Sequence, residues 1–246
     1  MSRPLLSVIV PVFNEEATID AVLARLRDGP YPDKQVIVVD DGSTDGTPER
    51  LRAWENQGGW LFLRHERNRG KGAAVRSALE HAAGEITTFQ DADLEYDPAD
   101  LPSLIEPIRS GKATVVYGSR YLRDRGLRWN RFRLAVQLLN GVVRVLYGQR
   151  LTDEATCYKA MRTDLLRSLG LRADRFDLCP EITAKLCRLR IPIQEVPISY
   201  RPRGTEAGKK INWFDGVQAL YTLLRWRVSP LPPTAAARKR TVASRR

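Results

Sequence analysis

The chain reads as an α/β protein: a single domain built on a Rossmann-like, mostly parallel sheet with helices on both faces. Three observations predict this. Apolar runs of strand length alternate with loops and with stretches of helical spacing through the N-terminal part of the chain. The loops after those runs are polar and rich in Asp and Gly, and ligands of such sheets collect outside the carboxyl ends of the strands. The 246 residues can bury one large core without splitting.

The elements follow in order. Leu6-Ser7-Val8-Ile9-Val10-Pro11-Val12-Phe13 reads as a buried strand. Asn14 is placed to cap the next helix, Glu15 and Glu16 suit its first turn, and Ile19, Val22, Leu23 and Leu26 fall at helical spacing. A second strand, Gln35-Val36-Ile37-Val38-Val39, runs into the acidic loop Asp40-Asp41-Gly42-Ser43-Thr44-Asp45-Gly46-Thr47, and a helix begins near Pro48. Trp60-Leu61-Phe62-Leu63 is a third strand. Asn68-Arg69-Gly70-Lys71-Gly72 follows it, then a helix through Ala83. Ile86-Thr87-Thr88-Phe89 is a fourth strand, and Val115-Val116-Tyr117 another. Pro11, Asp40, Lys71 and Asp93 all fall at or just after strand ends.

There are 40 basic and 29 acidic residues, a formal charge of +11, and five of the basic residues are Arg238-Lys239-Arg240 and Arg245-Arg246. The globular domain is expected over residues 1–230, divided near residue 118, with 231–246 a basic, disordered tail. A basic chain suits nucleic acid, an anionic membrane or phosphorylated substrates. Zinc spacing, an RNA-binding aromatic signature and a helix-turn-helix motif are all missing, so nucleic acid is the minor option. Cys157, Cys179 and Cys187 lack metal spacing and suit a reducing cytoplasm as small core residues. No signal peptide is visible, and no apolar run reaches the ~20 residues of a spanning helix.

Chemistry concentrates in Gln90-Asp91-Ala92-Asp93-Leu94-Glu95-Tyr96. In an extended segment Asp91 and Asp93 face one side together. Two clustered carboxylates repel unless a cation lies between them. Mg²⁺ favours one or two carboxylates plus substrate phosphates, so a metal carrying a diphosphate fits, although Asp-x-Asp also occurs in ordinary turns. Glu95 shares that face by alternation, either as part of the metal shell or as a solvated loop carboxylate.

Val8-Ile9-Val10-Pro11-Val12-Phe13-Asn14-Glu15-Glu16, Val39-Asp40-Asp41-Gly42-Ser43-Thr44-Asp45, Gly70-Lys71-Gly72 and Asp91-Ala92-Asp93 together resemble the inverting nucleotide-sugar glycosyltransferases of family 2, which have the GT-A fold. Tyr117-Gly118-Ser119-Arg120-Tyr121, Cys157-Tyr158-Lys159, Cys179-Pro180-Glu181-Ile182, Glu195-Val196-Pro197-Ile198-Ser199-Tyr200 and Gly208-Lys209-Lys210-Ile211 resemble the dolichyl- or polyprenyl-phosphate hexosyltransferase branch. The resemblance covers about nine-tenths of the chain with order and spacing kept. It implies a UDP- or GDP-hexose donor, Mg²⁺ or Mn²⁺, and a polyprenyl phosphate acceptor at the cytoplasmic membrane face.

On this reading Asp93 is a metal ligand, and Asp91 is shared between metal, ribose and sugar. The metal stabilises the departing diphosphate as a Lewis acid. Asp40 touches the nucleoside, and Pro11, Phe13 and Glu15 form the opposite wall. Gly42, Asp45 and Gly46 read as turn residues. Lys71, with backbone N–H groups around it, meets a phosphate or donor oxygen. Arg120 stands at a strand end for a bidentate hold on a phosphate acceptor, or as a partner for Asp91 and Asp93. Arg131 and Arg133 are further candidates for that phosphate. From Arg128 to Arg150 the chain is basic and apolar, with Phe132, Val136, Leu139, Val143 and Leu146 on one helical side. It fits an interfacial helix on anionic lipid or a core helix.

A phosphate acceptor with a second pKa near ~6 is already anionic and needs no strong base. If the acceptor is instead a sugar or lipid hydroxyl, Asp153 or Glu181 is the base candidate. The polar loop after Tyr200 is expected to close on the donor diphosphate through Arg203 and Lys209. Relatives often carry C-terminal membrane helices that this sequence lacks, which points to peripheral membrane contact or a membrane partner. A non-catalytic nucleotide-sugar-binding subunit and a nucleotidyltransferase are the alternatives of other classes.

Overall fold

The computed structural model describes residues 4–123, 131–203 and 213–233. Seven strands form one sheet: β1 (Leu6–Val12), β2 (Gln35–Asp40), β3 (Trp60–Arg64), β4 (Ile86–Phe89), β5 (Val115–Ser119), β6 (Lys159–Arg162) and β7 (Ile193–Pro197). Their order is β3-β2-β1-β4-β6-β5-β7. All pairings are parallel except those of β6, which runs antiparallel to both β4 and β5. The mostly parallel sheet is as expected. The antiparallel strand is not legible beforehand, because four residues beginning with a buried lysine carry little apolar signal.

β1 is central and fully apolar through Val8, Ile9 and Val10, all with no exposure, as a strand covered on both faces must be. Nine helices are described: α1 (Ile19–Asp28), α2 (Thr47–Arg52), α3 (Lys71–His81), α4 (Leu101–Arg109), α5 (Arg120–Arg123), α6 (Arg131–Tyr147), α7 (Thr163–Ser168), α8 (Leu178–Arg188) and α9 (Trp213–Val228). The spacing of Ile19, Val22, Leu23 and Leu26 buries one side of α1. Asn14 does not cap that helix. It takes a left-handed backbone (φ 50°), and its side-chain oxygen accepts from the Thr44 N–H at 2.8 Å. The chain thereby turns away from β1 and is tied to the loop after β2.

The sheet order reverses between β1 and β4. Chain leaving β1 runs outward through β2 and β3, and β4 then returns on the other side. That crevice is where an open α/β sheet accepts ligands. It gathers the loops after β1, β2 and β4.

Candidate active site

The loops after β1 and β2 are stitched together. Ser43 Oγ accepts from the Asn14 N–H at 2.9 Å, Thr47 Oγ1 from the Glu15 N–H at 2.9 Å, and Glu16 Oε2 from the Gly46 N–H at 2.7 Å. Asp40 and Asp41, adjacent and both buried, play different roles. Asp41 is structural: Oδ1 bonds His65 Nδ1 at 2.6 Å and the Arg69 N–H at 3.0 Å, and Oδ2 accepts from the Gly70 N–H at 2.7 Å. Asp40 Oδ1 accepts from the Ser43 N–H at 2.8 Å. Its buried Oδ2 has no hydrogen bond, with Arg64 Nε at 3.3 Å. A buried acceptor without a donor is costly, and a base N–H or ribose hydroxyl would satisfy it. Pro11 lies in β1 beside this loop and Phe13 just after the strand, both partly exposed.

Lys71 opens α3, and its ammonium pairs with Asp91 while lying 3.8 Å from Cys157 Sγ. Burial works against the charged lysine. Asp91, ahead of Cys157 and Cys179, outweighs it and holds the Lys71 pKa well above the ordinary value. The backbone N–H groups expected to face a phosphate here are in part taken, Gly70 by Asp41 and Ala73 by the Asp174 carbonyl at 3.1 Å. The two glycines serve packing. A side chain at Gly70 would strike the Asp174 carbonyl, and one at Gly72 the Ala173 carbonyl.

Asp93 lies beyond β4, with Oδ1 accepting from the Glu95 N–H at 3.1 Å. Its carboxyl is pushed up to about 7, first by burial and then by the charges of Asp91 and Glu95. The group is therefore poised to lose a proton to a cation. Glu95 is held differently from the expectation of a metal ligand. Oε2 accepts from Tyr200 Oη at 2.7 Å and Oε1 from the Arg203 N–H at 2.8 Å, so it anchors the segment after β7. Among the described residues, no group of three or more His, Cys, Asp or Glu is arranged as a metal cluster.

Arg203, expected to close on the donor diphosphate, reaches this acidic cluster. Its Nε donates to the Asp93 carbonyl at 2.7 Å, and its terminal nitrogen pairs with Glu15 Oε2 at 2.7 Å. Glu15 Oε2 also accepts from Thr18, so that oxygen of the expected nucleoside wall is used for the loop contact. Lys209 lies outside the described residues, as do the side chain of Arg131 and most of the expected tail.

Arg120 follows β5 and is nearly buried. Asp153, with no exposure, takes it in a bidentate pair at 2.7 and 2.7 Å and also accepts its backbone N–H at 3.0 Å. Its partner is thus Asp153, not Asp91 or Asp93. Burial opposes the guanidinium charge, but Asp153 and then Tyr96 outweigh it and raise its pKa further. The guanidinium lies 5.0 Å from the Tyr200 ring centre and 5.7 Å from that of Tyr121, and Arg133 lies 5.3 Å from Tyr121 on the same ring. Tyr200, with its hydroxyl on Glu95, therefore joins Arg120 to the acidic cluster.

Both base candidates are consumed. Asp153 spends its two oxygens on Arg120. Glu181, without exposure, accepts from the N–H groups of Arg172 and Ala173 and pairs with Lys185 at 2.5 Å. Tyr200, Tyr121 and Glu195 were not singled out as site residues. Glu195 accepts the Thr152 and Asp153 N–H groups at 2.8 and 3.0 Å, and so fixes the carboxylate that fixes Arg120. Their signal was their place inside the motifs that resemble the polyprenyl-phosphate branch.

Known proteins resemble this chain in sequence and in fold. A chain 31% identical over 228 residues, covering 89% of this chain and 92% of its own, is the undecaprenyl-phosphate mannosyltransferase of Micrococcus luteus. The dolichol-phosphate mannosyltransferase of Pyrococcus furiosus is 26% identical over 227 residues, 89% of this chain, which spans 64% of that protein. Glucosyl-3-phosphoglycerate synthase from Mycobacterium tuberculosis, solved with uridine-diphosphate, superposes with a TM-score of 0.72 at 25% identity, covering 92% of this chain and 81% of that one. The same enzyme solved with Mg²⁺ and uridine-diphosphate gives 0.65 at 26% identity, covering 92% and 80%. Residues 7–170 match the family described as "Glycosyl transferase family 2", and the chain is a GT-A glycosyltransferase belonging to that family.

Proposed function

We propose that this glycosyltransferase moves a hexose, with inversion, from a UDP- or GDP-linked donor to a polyprenyl phosphate at the inner face of a membrane. One observation carries the choice of acceptor. Arg120 is held at the end of β5 by Asp153, so a positive charge is fixed there, while both carboxylates that would serve as a base are engaged in bonds of their own. That suits an acceptor that arrives anionic and needs no deprotonation. Relatives named for transfer to undecaprenyl and dolichol phosphates support it.

Asp91 and Asp93 fit a divalent cation. Burial first, and then the charges of Asp91 and Glu95, push the Asp93 carboxyl up to about 7, and a cation would favour its ionised form. Asp91 and Asp93 would hold Mg²⁺ or Mn²⁺, which would supply Lewis acidity to the leaving diphosphate. The chain's own residues do the rest. Asp40 Oδ2 accepts from the nucleoside, the buried Lys71 charge faces the diphosphate beside Asp91, and Arg203 closes from the opposite wall. Arg120, oriented by Asp153 and stacked near Tyr200, holds the acceptor phosphate, with Arg133 across Tyr121.

The membrane part of the reading rests on α6 and α9, which pack together through a hydrogen bond from Tyr147 Oη to the Leu223 carbonyl at 2.6 Å. Each exposes an apolar stripe. Leu134, Leu138 and Val145 (62, 62 and 84% exposed) lie on α6, and Phe214, Val217, Tyr221, Leu224 and Val228 on α9. Arg144, Arg225 and Arg227 are exposed beside them. Apolar stripes flanked by arginine suit an anionic lipid surface. No described helix is long and apolar enough to cross a membrane.

The test is nucleoside diphosphate release with Mg²⁺ or Mn²⁺ from UDP-glucose and from GDP-mannose, with and without a short-chain polyprenyl phosphate in detergent. Release that requires the lipid phosphate, with sugar appearing on it, is the expected result. Release that ignores the lipid and responds to a sugar hydroxyl would overturn the acceptor assignment.

A further inference from the structure

Glu181 and Lys185 on α8 form an ion pair with neither side chain exposed. Such a pair is weak evidence for stability, because desolvating two charges offsets their attraction. Its other bonds indicate what it holds. Glu181 accepts the N–H groups of Arg172 at 3.0 Å and Ala173 at 2.7 Å. Lys185 donates to the Gly170 carbonyl at 2.8 Å and lies 3.9 Å over the ring of Trp226 on α9. The pair therefore pins residues 170–173 against α8 and α9 together.

The far side of that segment is the floor beneath Lys71. The Asp174 carbonyl accepts the Ala73 N–H at 3.1 Å, and Arg76 bonds the Ala173 carbonyl and the Asp174 carboxylate. Gly70 and Gly72 sit so close to these two carbonyls that neither position tolerates a Cβ. Lys71 lies between those glycines. A shift of the 172–174 backbone is thus transmitted to the lysine with no slack to absorb it.

We propose that Glu181 is a positioning residue for the donor site. It holds the 172–174 backbone under the start of α3, and so sets Lys71 against Asp91. Through Lys185 and Trp226 the same brace ties Lys71 to α9, one of the two helices with an exposed apolar stripe. The inference rests on the reading of Lys71 as a donor-diphosphate group, and the experiment separates the two.

UDP and GDP, each with Mn²⁺, are titrated calorimetrically into the wild type, Lys71→Ala and Glu181→Gln, below each protein's melting temperature. Glutamine keeps the shape but cannot accept from both amides and the ammonium at once. The expected result is a Kd for the preferred nucleotide raised at least about tenfold in both variants, a displacement effect acting through geometry. In turnover, Glu181→Gln is expected to raise the donor KM and leave the acceptor KM unchanged. If Lys71→Ala weakens binding while Glu181→Gln lowers only the melting temperature, the positioning role is overturned and the donor reading stands. If Lys71→Ala leaves Kd unchanged, the donor reading of Lys71 falls, and this inference with it. Should Glu181→Gln not fold, Glu181→Gln with Lys185→Met removes both charges together, leaves no lone buried ammonium, and carries the same expectation.

Discussion

The two halves of the sheet solve different problems. Around β1, β2 and β3 the loops are closed on one another by short polar bonds. Asn14 joins Ser43 and Thr44, Glu15 joins Thr47, Glu16 joins Gly46, and Asp41 ties together His65, Arg69 and Gly70. Around β5 and β6 one charge, Arg120, is fixed with similar care, but the neighbouring α6 and α9 leave apolar stripes open. A site for a soluble, charged donor can be finished by the chain alone, because its dipoles must be in place before the leaving charge develops. The acceptor side as proposed is finished only against a second apolar phase.

The largest expected effects test this division directly. Asp93→Ala is expected to lower kcat by roughly 10³, the scale of losing the main stabiliser of a developing charge, with the melting temperature unchanged or raised. Arg120→Ala is expected to cost about 10² in kcat/KM, carried by the acceptor KM with the donor KM unmoved. Steady-state kinetics with each substrate varied in turn reads both. An Arg120→Ala variant that loses donor affinity instead would mean that the halves do not divide the substrates in this way.

The next effect concerns the open surface. Leu138→Ser and Leu224→Ser together remove one exposed leucine from each stripe. A fully buried leucine is worth about 1.5–3 kcal/mol, and a partly inserted one less, so binding to anionic vesicles should fall roughly tenfold. Flotation with vesicles of anionic phospholipid measures it. Unchanged flotation would remove these stripes from the membrane contact, while nucleotide binding should be indifferent to both substitutions.

What was legible in the sequence divides along the same line. The strand–loop–helix alternation and the place of Asp40, Lys71, Asp91 and Asp93 are local patterns, readable because each of these residues lies at or soon after the end of a strand. Partners distant in sequence were not readable. Nothing in the string joins Arg120 to Asp153, Glu95 to Tyr200, or Glu181 to the amides of Arg172 and Ala173. For carboxylates chosen by proximity to a motif, the structure therefore shows partners that the string does not. Glu95, read as either a metal-shell or a loop carboxylate, anchors the segment after β7, and Glu181, a base candidate for a hydroxyl acceptor, bonds the backbone of Arg172 and Ala173. Antiparallel β6 escaped for a related reason, since pairing between β4 and β5 is a property of the assembled sheet.

The smallest effect sharpens the electrostatic side of the comparison. Burial first, and then Asp91 and Glu95, push the Asp93 carboxyl up to about 7. An unfolded aspartate titrates near ~4. Between those values the folded chain holds a proton that the unfolded chain has released, so stability falls as pH rises from about 4 to 7 and levels off above. Asp93→Asn removes the charge and with it this loss. The variant should exceed the wild type in unfolding free energy by roughly 1–2 kcal/mol more at pH 8 than at pH 5, a few degrees in melting temperature. Mn²⁺ should narrow that gap at pH 8, because a cation favours the ionised carboxylate, and should do less at pH 5, where the proton competes with it. A variant whose advantage is the same at both pH values would show that the acidic cluster is already neutralised by Lys71 and Arg203. The donor half would then be as complete without its metal as with it.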